Sequence, residues 1–151
     1  MVNLLFRCLY RLMYLAARAY WWLCRPRMRA AVVAVWHANQ LLLVKQSYRP
    51  HMTLPGGFIR RGEHPRDAAV REIAEELGVE LPPESLRLVG EPEIRSEGRV
   101  SVETVFQVHL ETVPAISVDC REITAAHFFT IFDARRLEVT PIARWYLDHA
   151  C

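Results

Sequence analysis

Residues 1–25 carry bulky apolar side chains at most positions, and arginines are the main interruption. Four of these arginines recur at spacings of four, seven and seven residues, which places them on one narrow stripe of an α-helix. They are Arg7, Arg11, Arg18 and Arg25. Leucines fill the opposite side, and Pro26 would end the helix. The pattern predicts an amphipathic cationic helix over residues 1–28, ahead of a domain over residues 29–151.

The sequence leaves two interpretations of this helix open. A wide apolar face beside an arginine ridge and interfacial aromatic residues is typical of helices that lie in a membrane surface. The alternative is a helix that packs on the domain or on a second subunit, as in a homodimer. The arginines leave no uncharged run long enough to span a bilayer, and no small-residue cleavage site follows. We therefore expect a cytoplasmic protein, with residues 1–25 as the contact to an anionic inner membrane face under the first interpretation.

Beyond residue 28, β-rich runs alternate with helical stretches. Residues 30–37 and 40–46 predict two strands joined by a tight turn. Residues 65–77 predict a helix, because Pro65 suits its first turn and Gly78 suits its C-terminal cap. Further strands are expected over 86–95, 100–110 and 126–131. A turn or bulge is expected over 54–57 and a closing helix over 141–149. The fold class is therefore α+β, with a mixed sheet and helices against it.

Composition and charge narrow the classes of partner. The chain has 151 residues, 52% hydrophobic and 24% charged, which excludes a disordered chain. Its four cysteines form no CxxC pair, which disfavours a zinc ribbon or a disulfide scaffold. Residues 1–29 hold six arginines and no acid, whereas the remainder is mildly acidic. This asymmetry predicts an anionic partner for the helix, and the acidic domain makes nucleic acid an unexpected one.

A cluster of carboxylates carries the candidate chemistry. Residues 57–79 read GFIRRGEHPRDAAVREIAEELGV. On a helix, Glu72, Glu75 and Glu76 stand at i, i+3 and i+4, so they share one face and repel one another. A helix gains nothing from such a cluster by itself, but Mg²⁺ or Mn²⁺ would offset the repulsion. Arg71 precedes Glu75 by four residues and is placed to orient that carboxylate.

The same segment resembles the Nudix box, G-x5-E-x7-R-E-U-x-E-E-x-G-U with U aliphatic, at every specified position. The chain therefore resembles the Nudix hydrolase family (MutT-like) over about residues 29–150, with the N-terminal helix outside it. The resemblance implies the Nudix fold, an α/β/α sandwich around a mixed sheet. It also implies a divalent-metal-dependent hydrolase: water attacks phosphorus and cleaves the pyrophosphate bond of a nucleoside diphosphate linked to another moiety.

The resemblance also assigns roles to individual residues. The metal ligands it implies are Glu72, Glu75, Glu76, Glu63 and a glycine carbonyl, Gly57. Arg71 would orient a carboxylate. The general base of the family varies in position, and Asp119 and Glu122 are candidates, with Glu122 preferred. Substrate contacts are expected from Arg49, Arg60 and Met52. Met52 stands where many members carry a tryptophan, and Arg60 has a solvated loop residue as its alternative interpretation.

A second function class stays open beside the hydrolase. A Nudix-fold module without catalysis would bind a nucleotide or an anionic lipid, with the N-terminal helix as its main functional part. Metal-dependent turnover separates the two classes, since a binding module shows none. The intact acidic positions of the box favour the enzyme.

Overall fold

Eight strands pair into one mixed sheet within residues 2–112, 115–118 and 122–149, which the computed structural model describes. The strands are β1 (Arg27–His37), β2 (Gln40–Gln46), β3 (Met52–Thr53), β4 (Gly56–Phe58), β5 (Arg87–Gly90), β6 (Glu93–Ser96), β7 (Arg99–Leu110) and β8 (Ile123–Thr130). The helices are α1 (Val2–Cys24), α2 (Pro65–Leu77), α3 (Ile131–Arg136) and α4 (Pro141–His149), with a 3₁₀ turn at Pro83–Ser85.

Strand β1 forms the centre of the sheet. It runs parallel to β7 along its whole length and antiparallel to β2 and β4. Strand β8 pairs with β2, while β5 and β6 pair with β7. Residues 30–35 of β1 are all buried, as expected for a central strand with a parallel neighbour and both faces covered.

Each face of the sheet carries its own hydrophobic core. Alternate residues of β1 point to opposite faces, so Ala31 and Val33 pack with Ile73 of α2. Val32 packs on the other face with Tyr146 of α4. The Tyr146 hydroxyl donates to Gln107 Oε1 at 2.8 Å and accepts from Trp36 Nε1 at 2.7 Å, which satisfies a fully buried polar group. The predicted α/β/α sandwich is confirmed.

Local chemistry explains most element boundaries, and the structure corrects some predictions. Ala38 and Asn39 both take positive φ, 46° and 63°, as a two-residue type I′ hairpin turn requires. The predicted strand over 86–95 is two strands, and the break falls at Pro92, which has no N–H for a ladder. The predicted turn or bulge over 54–57 leads directly into strand β4, because Gly56–Phe58 pairs with β1. Helix α3 was not expected.

Helix α1 lies on the domain through an aromatic seam. Tyr10, Tyr14 and Trp21 recur at helical spacing, and the Tyr14 ring centroid lies 5.0 Å from that of Tyr48. Trp21 is 7% exposed, and the Arg99 guanidinium lies 4.2 Å from its ring centroid. A Cβ on Gly98 would lie 2.8 Å from the Cα of Trp22, so this glycine permits close approach. The packing interpretation of the helix therefore describes its inner face.

The outer face of α1 is apolar and exposed. Its large side chains include Leu5, Leu12, Trp22 and Leu23, which are 64–76% exposed. Among the residues that the structure describes, no helix combines the length and apolarity that crossing a membrane requires. The helix therefore uses Tyr10, Tyr14 and Trp21 for the domain and presents its leucines and Trp22 outward.

Candidate active site

Helix α2 positions the carboxylates of the predicted motif. His64 caps its start by accepting the Arg66 backbone N–H at Nδ1, at 3.2 Å, and Pro65 occupies its first turn. Gly78 ends it with a φ of 67°. Ile73 and Leu77 are at most 1% exposed against the sheet. Because this apolar face is fixed in the core, the rotation of the acidic residues about the helix axis is fixed too.

Arg71 contacts three carboxylates. Its Nε and Nη2 donate to the two oxygens of Glu63, at 2.8 and 3.1 Å, as a bidentate pair. Its Nη1 donates to Glu72 Oε1 at 2.7 Å and to Glu75 Oε2 at 3.2 Å. A further bond from Nη2 reaches the Phe58 carbonyl at 3.2 Å. Arg71 therefore does more than the single predicted contact to Glu75: it ties the loop before α2 to the helix.

The carboxylates differ in how easily they protonate. The hydrogen bond from Arg71, together with the Arg60 backbone N–H at 2.7 Å, lowers the pKa of Glu63 to about 2. Burial raises the pKa of Glu72 above its ordinary value, although Arg71 opposes that shift. The hydrogen bond that Arg71 donates to Glu63 raises the pKa of Arg71 further. Glu63 and Arg71 thus form a charged pair at neutral pH, and a cation beside Glu72 would favour its charged form.

Two glycines allow the backbone to approach this face. The Gly56 N–H donates to Glu76 Oε2 at 2.9 Å, and Glu76 is buried. Gly56 has a φ of 139°, and a Cβ there would lie 2.2 Å from the Ala31 carbonyl oxygen. A Cβ on Gly57 would lie 2.7 Å from both carboxylate oxygens of Glu72. Neither position accepts a side chain without displacing the backbone or the carboxylate.

The donor chemistry fits a hard divalent cation. Glu63, Glu72, Glu75 and Glu76 supply four carboxylates, against the guanidinium groups of Arg71 and of Arg60, which pairs with Glu75 at 3.3 Å. Oxygen donors with a negative excess are the ligands that Mg²⁺ prefers. Within the described ranges, no three His, Cys, Asp or Glu side chains converge into a metal-binding group. Arg71 lies among three of the carboxylates and Glu76 turns to Gly56, so the metal stays a prediction.

A cavity of about 390 Å³ opens beside these carboxylates. Six of the predicted site residues line it: Arg49, Gly57, Arg60, Arg71, Glu72, Glu75. The predicted base Glu122 lines it as well, from the start of the β8 region. Glu63 supports it from behind through Arg71. The cavity therefore combines carboxylates and arginines in one space.

Three predicted residues that the structure describes do not line the cavity: Glu63, Glu76 and Met52. Met52 belongs to β3, where its backbone pairs with Lys45 and bonds to Glu138, and its half-buried side chain packs on the α4 core. The side chain is absent from the cavity lining among the described residues, because β3 holds it on the sheet edge. Asp119, the other candidate base, lies outside the described residues.

Glu122 is held by the loop after β2. Its Oε1 accepts the Tyr48 hydroxyl at 2.9 Å, and its backbone carbonyl accepts the Ser47 N–H at 2.7 Å. Burial, followed by the charge of Glu122, raises the pKa of Tyr48, so the hydroxyl stays protonated and donates. Glu122 therefore has a fixed position on the cavity wall, directly before the paired strand β8.

Sequence reasoning missed several polar residues of the cavity, and three of them lie on β7. Arg99, Ser101 and Glu103 alternate along β7 and are at most 8% exposed. Burial lowers the pKa of Arg99 and raises the pKa of Glu103. The signal was available in the sequence, because polar residues at every second position of a strand occupy one face. That face was not predicted to line a cavity.

Comparison with known proteins identifies the family. The family model described as NUDIX domain matches residues 26–149. The chain belongs to the NUDIX domain family. The resemblance inferred from the box is thus confirmed, and α1 lies wholly outside the NUDIX match.

Individual relatives share shorter segments. A Bacillus subtilis protein named "Putative ADP-ribose pyrophosphatase YjhB" is 41% identical over 56 residues, which are 37% of this chain and 27% of that protein. The "Putative 8-oxo-dGTP diphosphatase" of the same organism is 47% identical over 49 residues, 32% of this chain and 33% of the relative. The chain thus spans about a third of the length of the curated relatives it matches.

A solved structure supports the fold over most of the chain. The MutT NUDIX hydrolase from Burkholderia pseudomallei superposes with a TM-score of 0.74 at 24% identity. The superposition covers 83% of this chain and 99% of that one. At this identity the likeness concerns the fold.

Proposed function

We propose that this NUDIX protein is a divalent-metal-dependent hydrolase that cleaves the pyrophosphate bond of a nucleoside diphosphate linked to another moiety. The observation that carries the proposal is that carboxylates and arginines line one cavity. It is lined by Glu72 and Glu75 for a cation and by Arg49 and Arg60 for phosphate oxygens. A pyrophosphate needs both, because its cleavage depends on positioning and on neutralising charge.

The reaction requires one base and one leaving phosphate. The oxygen of a water molecule forms a bond to one phosphorus while the anhydride P–O bond breaks, and the second phosphate leaves with the electron pair. The proton of the water passes to a carboxylate. Glu122 is our candidate for that base, because it lines the cavity and the Tyr48 hydroxyl holds its carboxylate in place.

The acidic face of α2 would hold the metal. Glu72, Glu75 and Glu76 are the proposed ligands, with Glu63 and the Gly57 carbonyl in support, and Mg²⁺ is preferred over Mn²⁺. When bound, the ion supplies charge neutralisation on the phosphate oxygens. Arg71 is a positioning residue, since it fixes Glu63 and Glu72. Arg49 and Arg60 would contact the substrate.

A substrate panel tests the hydrolase. The names of the relatives direct attention to ADP-ribose and to an oxidised nucleoside triphosphate, and the panel adds dinucleoside polyphosphates, nucleotide sugars and CDP-alcohols. Phosphate or nucleotide release is measured with Mg²⁺, with EDTA, and with a Glu76→Gln variant. Glu84→Gln, an exposed acid outside the cavity, is the matched control. We expect one substrate class to turn over, and only with metal and intact Glu76.

The opposite result has a defined meaning. A folded protein that binds members of the panel without metal-dependent turnover contradicts the hydrolase. It would favour the alternative, a NUDIX-fold module that binds a nucleotide or an anionic lipid.

We further propose that α1 holds the protein on an anionic membrane surface. The supporting observation is its outer face, where Leu5, Leu12 and Leu23 are 64–76% exposed. Arginines flank that face, and residues 1–29 contain no acid, so the electrostatic complement is a negatively charged surface. A cytoplasmic protein with this face would be peripheral on the inner membrane leaflet.

Co-sedimentation tests the membrane proposal on the full chain. We expect binding to vesicles that contain phosphatidylglycerol and little binding to neutral vesicles. A Leu5→Ser, Leu12→Ser, Leu23→Ser triple variant should lose this binding, whereas serines at exposed positions of the domain, such as Leu88, should not affect it. Equal sedimentation of the triple variant and the parent contradicts the proposal. A homodimer that dissociates in the triple variant, without vesicle binding by the parent, would assign the face to a second copy instead.

A further inference from the structure

A second cavity lies between α1 and the domain. It has a volume of about 520 Å³ and adjoins the active-site cavity. The two cavities share five lining residues: Tyr48, Arg49, Ser96, Thr140 and Pro141. The space under α1 is therefore the immediate neighbour of the space beside the carboxylates of α2.

The second cavity carries surplus positive charge. Arg11, Arg18 and Arg49 line it, and Glu97 is the one carboxylate among its described lining residues. Arg49 already pairs with Glu97 at 3.0 Å. Across the described ranges, Arg11 and Arg18 form no ion pair, and Arg11 donates only through Nε to the Ser47 carbonyl, at 3.3 Å. Two guanidinium groups thus remain for an anion from outside the protein.

The walls of this cavity are held in place from both sides. The Tyr14 hydroxyl donates to Glu97, and the Arg49 guanidinium lies 5.3 Å from the Tyr14 ring centroid and 5.9 Å from that of Tyr48. The Arg18 guanidinium lies 5.9 Å from the Tyr14 ring centroid. Contacts with tyrosine rings restrict the rotamers of Arg18 and Arg49. Helix α1 supplies one wall of the cavity.

We propose that this cavity is a subsite for a second phosphate group, carried by the substrate on the moiety beyond the pyrophosphate. The inference rests on the proposed function and narrows its substrate class. Arg49 stands at the boundary of the two cavities, so a pyrophosphate beside Glu72 and a distal phosphate beside Arg11 and Arg18 lie on either side of it. Guanidinium groups are the preferred partners of phosphate because they donate two parallel hydrogen bonds.

Matched probes that differ by one phosphate test the subsite. NADPH differs from NADH by one phosphate, and coenzyme A differs from its dephospho form in the same way. Affinities are measured with Mg²⁺ in a Glu76→Gln background, which blocks turnover, by NAD(P)H fluorescence anisotropy and by calorimetry. No lipid is present. For at least one pair, we expect the phosphorylated member to bind about tenfold more tightly, the effect of one charge-assisted contact.

Substitutions test whether Arg11 and Arg18 cause the tighter binding of the phosphorylated probe. Arg11→Gln with Arg18→Gln should reduce the affinity ratio within that pair to below about twofold. Arg29→Gln, an exposed arginine that lines neither cavity, should leave the ratio at its parent value. Circular dichroism and thermal melting confirm that each variant is folded.

Each other outcome overturns the subsite. Equal affinity within both pairs contradicts it, and so does a preference that survives the double substitution. If the double variant loses vesicle binding while the ratio is unchanged, the two arginines serve lipid phosphates. Failure of the hydrolase proposal is a separate result. It would appear as missing turnover on the substrate panel, and it would not change the affinity ratio measured with the matched probes.

Discussion

The NUDIX domain and helix α1 use arginine in opposite ways. In the domain, Arg71 is fixed by three carboxylates and a carbonyl, and it is 17% exposed on its side chain. On α1, Arg11 and Arg18 line a cavity without an ion pair among the described residues. The first arrangement builds internal order, because every donor has a partner. The second arrangement leaves positive charge without an ion-pair partner in the part of the chain that the structure describes. Arginine therefore organises the domain internally, whereas on the helix it is available to bind a ligand.

Neutralising a carboxylate of α2 should give the largest loss of hydrolysis, which would show that the domain carries the chemistry. Glu72→Gln keeps the volume of the side chain but removes its charge from the cavity. We expect hydrolysis to fall on the order of 10³-fold, because a Lewis acid contributes several kcal/mol to the transition state. Steady-state kinetics across Mg²⁺ concentrations measure it. Retention of more than a tenth of the activity would move the metal site away from Glu72.

Weakening the aromatic seam between α1 and the domain should destabilise the docking of α1 and leave hydrolysis by the domain in place. Trp21→Ala removes a ring that is 7% exposed and that stacks on Arg99. We expect a loss of about 3 kcal/mol in the docking of the helix. Limited proteolysis between residues 24 and 29 and amide exchange along α1 measure this loss. The neighbour Trp22, 75% exposed, supplies the control: Trp22→Ala should change neither readout. Equal effects would mean that the seam does not hold the helix.

Replacing Arg71 conservatively should sharpen its role as a positioning residue. Arg71→Lys keeps the charge but cannot make the bidentate pair with Glu63. We expect Mg²⁺ affinity to weaken about tenfold, in the range found for residues that orient ligands. Arg61→Lys, at an exposed loop position, should leave it unchanged. An Arg71→Lys variant with unaltered Mg²⁺ affinity would show that the arginine serves stability alone.

The smallest effect concerns the pH dependence of stability. Burial raises the pKa of Glu103 above its ordinary 4.5, so its charge costs folding free energy at neutral pH. This cost fades as the pH falls through the raised value toward 4.5, where the folded and unfolded states both become protonated. Glu103→Gln should therefore raise the Tm at pH 8 and leave it unchanged near pH 4. A Tm difference that stays constant between pH 4 and pH 8 would contradict the raised pKa of Glu103. So would an equal Tm difference in the Glu80→Gln variant.

The sequence by itself determined the elements and chemistry that depend on neighbours along the chain. Helix α2 begins at Pro65 and ends at Leu77 as predicted, because its cap, its proline and its apolar face are all local signals. The box carried the resemblance to the family, because all its specified residues lie between Gly57 and Val79. Its glutamates share a face through helical spacing alone. The hairpin turn at Ala38 and Asn39 also follows from local backbone preference.

Only the tertiary structure decided which distant residues share a cavity. The alternating Arg99, Ser101 and Glu103 become cavity walls because β7 runs parallel to β1, a pairing between residues about 70 positions apart. Met52 fits a substrate contact in the sequence, yet β3 places its side chain on the core. For α1, the pattern of arginines and leucines allowed membrane or protein contact. Its aromatic seam meets Tyr48 and Arg99 across the fold, and no periodicity in residues 1–28 encodes where those partners lie.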